Sequence, residues 1–318
     1  MADAVSNPEY AWFNGRLVPW DEARVHVFSP VVKYGTGIFE GLRGYWNASE
    51  EELYVFRLAE HLDRLAFGLK VMRFDAGPAR AEMERAVLEV LRANRFRAPA
   101  HIRLSVFLEG DGEMSATGPV GMACTAVHRP PTKALTEGLA AGVVSWRRPE
   151  DSSQPMRVKA NANYQNGRFA VQEARANGYG AALLLNGRGK LAEGPGMCVF
   201  LVRDGVAVTP SITSDILESI TRDSVIELLR EDLGIAVEER EVDRTELYAA
   251  EEVFFCGTAW EVTPVTSVDR LAVGDGAVGL VTRRLQERYF AVARGTVDAR
   301  AAWRTAVYAS EGSKRAAE

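Results

Sequence analysis

Cysteine is scarce in this 318-residue chain: Cys124, Cys198 and Cys256 are an odd number, far apart and without CxxC spacing. That pattern excludes a disulfide framework and a zinc site, and a reducing cytoplasm is the expected location. Histidine is nearly as rare. His26, His61, His101 and His128 show neither HExxH nor paired spacing, so no metal centre is expected. Long apolar runs are missing too, and the opening MADAVSNPEYAWFNG has no basic region followed by an apolar stretch, so neither a membrane span nor a secretion signal is expected. Excess positive charge is absent as well. A net charge of -5 offers no field for nucleic acid or an anionic membrane surface, which leaves small molecules as the expected partners.

With 47% apolar and 25% charged residues, the chain has the composition of a globular protein long enough for two domains. Residues 10–28 read as two short strands about the Asn14-Gly15 turn, since Asn-Gly between apolar stretches is a strong hairpin signal. Strands follow at IFEGLRGYW and ELYVFRL. Helices are expected at 60–72, with Leu62, Leu65, Leu69 and Met72 at helical spacing, and at 78–94, with Met83, Val87, Val90 and Leu91. HIRLSVFLEG and MACTAVH close the first unit as strands. The proline-rich RPPTKA cannot continue a ladder and marks a linker. The expected division is residues 1–128, a linker at 129–136, a larger domain at 137–295 and a tail at 296–318. In the larger domain LAAGVVSW and AALLLN read as strands around a helix at 163–177. Turns at Asn186-Gly187 and Asp204-Gly205 mark two hairpins. A helix at 221–233 stops at Gly234, EEVFFCGT and EVTPVTSV read as strands, and a helix at 279–293 ends the domain. Strands and helices alternate without a strict βαβ rhythm, so the fold class is α+β with antiparallel-rich sheets.

Lysine is the next scarcity: only six of the 38 basic residues are lysine. Lys70 lies in a helix, Lys133 in the linker, Lys190 beside a turn and Lys314 in the tail, all places for solvated ammonium groups. Lys159 closes RVK between an apolar strand and a helix, where it reads either as a surface lysine or as a reactive amine. Three further features bear on that choice. Ser219-Ile220-Thr221-Arg222-Asp223 starts a helix, either as a plain cap or as an anion site where free N–H groups meet a phosphate. Cys256-Gly257-Thr258-Ala259 is a small-residue break after a buried strand, either a turn or a close approach to a ligand. Glu193 stands beside two glycines and an apolar strand, either solvated or buried against a cation such as a protonated pyridine nitrogen.

From Tyr10 to Gly295 the chain resembles the branched-chain aminotransferases of the class IV, fold-type IV group of pyridoxal-phosphate enzymes. Seven segments carry the likeness in the family's order: YGTGIFEGLRGY, EHLDRL, HIRLSVF, KANANY, EGPGMCVF, SITRD and CGTAWEVTPV. The resemblance implies a two-domain D-amino-acid-aminotransferase-like fold and pyridoxal 5'-phosphate as cofactor. It makes Lys159 the Schiff-base lysine and general base, Glu193 the partner of the pyridine nitrogen, and Tyr164 a donor to the phenolic oxygen. Arg64, Ile220, Thr221 and Thr258 hold the phosphate; read alone, Arg64 is equally a helix-surface cation. Tyr34, Phe39 and Arg43 wall the substrate pocket, and the Thr258 and Ala259 amides take the α-carboxylate, with Trp260 beside them. Arg103, with Tyr34, binds the side-chain carboxylate of glutamate, unless it makes a structural ion pair. Substrates are therefore an apolar L-amino acid and 2-oxoglutarate, exchanged through pyridoxamine phosphate. A homodimer or larger homo-oligomer is implied, each site completed by a neighbour's loop. Four residues depart from the pattern: His101 for tyrosine, Cys198 for asparagine, Ser219 for glycine and Trp260 for a small residue. They leave the cofactor chemistry alone but open the substrate to an aromatic, β-branched or unusual amino acid; separate alternatives are a D-amino-acid or (R)-amine transaminase, aminodeoxychorismate lyase, and a non-catalytic binding protein.

Overall fold

The computed structural model describes residues 8–309, so Lys314 lies outside the described residues. Contacts divide the chain into two compact units, Met1–Pro130 with Val158–Ala162 and Ala291–Glu318, and Pro131–Arg157 with Asn163–Phe290. Two segments thus fall outside the linear division expected from sequence. Val158–Ala162, which carries Lys159, joins the first unit, and so do residues 296–309, the described part of the stretch expected to be a tail.

The first unit is an antiparallel sheet under two helices. Strands β1 (Tyr10–Phe13) and β2 (Arg16–Pro19) meet at Asn14-Gly15, whose φ values of 46° and 92° suit the left-handed turn that matches strand twist. The second strand stops at Pro19, well short of residue 28, because proline has no N–H for the ladder and a 3-10 turn begins at Trp20. Helix α1 (Pro30–Tyr34) leads into β3 (Gly37–Asn47), followed by β4 (Glu52–Phe56), α2 (Leu58–Val71), α3 (Arg80–Ala93), β5 (Ala100–Leu108) and β6 (Val120–His128). A short C-terminal strand, Arg304–Ala306, pairs with β4, giving the order C-terminal strand, β4, β3, β5, β6, β1, β2. Period-2 alternation sends Ile38 and Leu42 of β3 into a core with Ile102, Leu104, Leu62, Leu65, Val87 and Val90, each worth about 1.5–3 kcal/mol of burial.

The second unit holds α4 (Ala134–Glu137), β7 (Leu139–Arg147), α5 (Asn163–Ala176), β8 (Ala181–Leu185), β9 (Cys198–Arg203), β10 (Val206–Pro210) and α6 (Ile220–Glu227). After these come β11 (Val237–Arg240), β12 (Glu252–Gly257), β13 (Glu261–Val268), β14 (Leu271–Ala272) and α7 (Leu280–Arg294), the last four residues of which count with the first unit. Strand order is β11, β10, β9, β12, β13, β7, β8, with β14 on β13. Both turn signals are used: β9 and β10 pair antiparallel across Asp204-Gly205, and Leu185 bridges Leu191 across the Asn186 turn. Three pairs are parallel, β10 with β11, β13 with β7 and β7 with β8. A parallel pair needs a crossover, and α5 lies on the one between β7 and β8. Gly167 sits inside α5 because a Cβ there would come within 3.0 Å of the Pro195 carbonyl oxygen. The helix expected at 221–233 is divided. Its α-helical part ends at Glu227, a π turn runs Leu228–Asp232, and Gly234 follows at φ 66°.

Candidate active site

In the first unit, Lys159 is fixed by its backbone to β3. The Phe39 amide donates to the Lys159 carbonyl at 3.0 Å, the Asn161 amide donates to the Gly37 carbonyl at 2.9 Å, and Ala160 bridges Ile38. A strand edge therefore sets the origin of the lysine side chain, whose Nζ lies 5.0 Å from the centre of the Phe39 ring. The guanidinium of Arg103 lies over the same ring at 3.7 Å and donates to Asn161 Oδ1 at 3.2 Å and Ser105 Oγ at 3.3 Å. Gly37 makes this possible, since a Cβ there would lie 2.7 Å from Asn161 Nδ2. Register explains the grouping. Phe39 faces Ser105, Gly41 faces Arg103 and Arg43 faces His101 across β3 and β5, so these side chains share one side of the sheet.

His101 is hemmed in on that side. Burial lowers its pKa to about 4, and Arg129, Arg43, Lys159 and Arg103 act in the same direction. Its Nδ1 is buried with no hydrogen-bond partner among the described residues. Arg43 is buried and donates to the Arg129 carbonyl at 3.0 Å. Tyr34 ends α1 with 40% of its surface exposed and its ring 5.2 Å from Lys33 Nζ.

On the other side of β3 lies Glu40, fully buried, accepting from Arg64 Nε and Nη2 at 2.7 Å each and paired with His61 Nδ1 at 2.7 Å. Arg64 is thus no solvated helix cation. Burial alone would raise the Glu40 pKa, but Arg64 and His61 outweigh it and bring it down to about 2. For His61, burial prevails over the pull of Glu40, so its pKa falls. Sequence reasoning missed Glu40 altogether.

In the second unit, Glu193 is buried, as one of its two readings required, and its cation is Arg148, whose Nη2 donates to Oε1 at 2.6 Å. The Leu217 amide also donates to Oε1, at 3.3 Å, and the Cys198 thiol lies 3.7 Å from Oε2. Burial pushes that thiol up to about 12, so it stays protonated. Arg148 went unnoticed in the sequence because it stands beside Arg147 at the end of β7, one of many arginines. Two sets of backbone donors complete the unit. Ser219 caps α6 by accepting from the Arg222 amide at 3.3 Å, while the Ile220 and Thr221 amides have no protein acceptor among the described residues. Between β12 and β13 a three-residue turn closes with Glu261 at φ 55°, and the Thr258 and Ala259 amides are likewise without a protein acceptor. Tyr164 on the first turn of α5 and Trp260 both line a cavity of about 380 Å³ with Gly167, Pro195 and Met197.

Residues 37–268 match the family described as amino-transferase class IV. The chain belongs to that family. It is 39% identical over 302 residues to the branched-chain-amino-acid aminotransferase of Escherichia coli, covering 93% of this chain and 96% of that one. Among solved structures, the branched-chain amino acid aminotransferase of Thermobaculum terrenum in its PLP form is 43% identical with a TM-score of 0.89, covering 95% of this chain and 99% of that chain. The branched-chain aminotransferase of Thermoproteus uzoniensis with norvaline is 40% identical with a TM-score of 0.90, covering 95% and 100%. The fold is that of the class IV aminotransferases, the protein is a PLP-dependent transaminase, and its cofactor is pyridoxal 5'-phosphate. The residues fit that group: open amides at a helix start and at a turn suit anions, a buried carboxylate suits a pyridinium, and the first unit offers a strand-anchored primary amine. No helix among the described residues is long and apolar enough to cross a membrane.

Proposed function

We propose that this protein transfers the amino group between a branched-chain or other apolar L-amino acid and 2-oxoglutarate, with Lys159 as catalytic base. The observation that carries the reading is the arrangement on β3, where the anchored Lys159 amine and the Arg103 guanidinium lie over one aromatic ring. Phe39 offers an apolar wall, and Arg103 offers a planar cation for a second carboxylate, which is what a pocket accepting both leucine-like and glutamate-like side chains requires. Relatives named for branched-chain substrates, and a neighbour solved with norvaline, support the apolar half.

Pyridoxal phosphate supplies an aldehyde that takes up the amino group and a ring that accepts the electrons released at the substrate Cα. With the cofactor bound, Lys159 Nζ would be the group that moves the proton at the substrate Cα. Glu193 would keep the pyridine nitrogen protonated, and Arg148 holds Glu193 in place through Nη2. Tyr164 donates to the phenolic oxygen. Arg64, the Ile220 and Thr221 amides and the Thr258 hydroxyl hold the phosphate. The Thr258 and Ala259 amides orient the α-carboxylate, with Arg43 and Trp260 bounding the pocket. Single-substrate half-reactions test the assignment: leucine, isoleucine, valine and glutamate should each convert the bound cofactor. Conversion by D-alanine alone would place the chain elsewhere in the class.

A further inference from the structure

Glu40 occupies a position that the pattern of β3 reserves for apolar groups, between Ile38 and Leu42 on the core side of the strand. A carboxylate there is costly to desolvate, and an ion pair in such a place is commonly no more stabilising than well-packed hydrocarbon. What the pair does supply is orientation. Both Glu40 oxygens bind Arg64, through Nε and Nη2 at 2.7 Å each, a two-point contact that fixes the plane of the guanidinium. His61, one helical turn before Arg64 on α2, bonds Glu40 Oε2 at 2.7 Å and so fixes the carboxylate. Burial favours the neutral imidazole, so the cluster contains one cation and one anion and is stable before any phosphate arrives. An arginine with four rotatable bonds, held this way, loses little further freedom when it binds.

We infer that Glu40, steadied by His61, is the positioning residue that presents Arg64 to the cofactor phosphate. The inference rests on the reading of Arg64 as a phosphate ligand. Apo-protein titrated with pyridoxal phosphate and, separately, with pyridoxal, which lacks the phosphate, isolates that contact as a ratio of affinities. Glu40→Gln should weaken pyridoxal phosphate binding about tenfold and leave pyridoxal unchanged, as expected for loss of a charge-assisted contact. His61→Asn should shift the ratio in the same direction by less, and it decides the matter if Glu40→Gln does not fold. Equal weakening of both ligands, or an unchanged ratio, would overturn the inference. Arg64→Gln separates the two levels. If that variant keeps the wild-type ratio, the phosphate reading itself fails; if it collapses the ratio while the Glu40 and His61 variants do not, only the positioning role fails.

Discussion

Among the described residues, each unit contains a buried arginine-carboxylate pair, Arg64 with Glu40 and Arg148 with Glu193, and the two are used in opposite senses. In the first unit Glu40 supports Arg64, and the proposed site group is the cation; in the second Arg148 supports Glu193, and the proposed site group is the anion. The neighbours differ accordingly. Glu40 takes two nitrogens of one guanidinium, one on each oxygen, whereas Glu193 takes one guanidinium nitrogen and a backbone amide on Oε1 and a thiol on Oε2. A buried charge must be compensated in either case, and which partner is held rigid decides what the pair can present to a ligand.

The largest expected effect comes from breaking one pair on its supporting side. Arg148→Met leaves the Glu193 carboxylate buried without its cation and should cost about 3–5 kcal/mol of stability, read as a fall in denaturation midpoint. Little change would mean that the Leu217 amide and the thiol suffice. A second expectation concerns pH. His101 has a folded-state pKa of about 4 against an ordinary 6.5, so the unfolded chain binds a proton that the folded chain refuses. Its contribution is complete above pH 6.5 and falls away toward pH 4, by up to about 3 kcal/mol. His61 acts in the same direction. The Glu40 contribution is complete above the ordinary carboxylate pKa of 4.5 and falls away only toward about 2. Denaturant titrations at pH 7 and pH 4.5 should therefore show a drop that His101→Gln reduces, and a variant that follows the wild-type slope would remove His101 from the account. The smallest effect is on selectivity. Trp260→Ala enlarges a cavity that Tyr164 also lines and should widen the substrate range, improving kcat/KM for bulkier side chains relative to leucine by about 1–2 kcal/mol. An unchanged substrate profile would remove the indole from the pocket.

Much of this was legible because it depends on residue type and spacing. Asn14-Gly15, Asp204-Gly205 and the helical spacing of Leu62 and Leu65 identify their elements locally. The open amides at Thr221 and Thr258 were foreseen from a cap and a small-residue turn. Pairings across the sequence were not. Arg148 meets Glu193 from 45 residues away, and the rule that a buried carboxylate needs a cation named the requirement without naming the partner. Glu40 left a clearer signal: a charge at the apolar beat of a strand, with His61 and Arg64 on one helix face, asks for that cluster. The shift of Val158–Ala162 into the first unit had no local mark, because backbone bonds to β3 are independent of side-chain type.

Absorbance spectra of wild type and Lys159→Ala, each loaded with pyridoxal phosphate, test whether Lys159 is the amine on which the chemistry turns. In wild type, a visible band from the lysine-bound cofactor should be bleached by L-leucine and by L-glutamate in turn; in Lys159→Ala that band should be absent. A wild-type protein without the band, or a variant that keeps it and bleaches equally, would contradict the account.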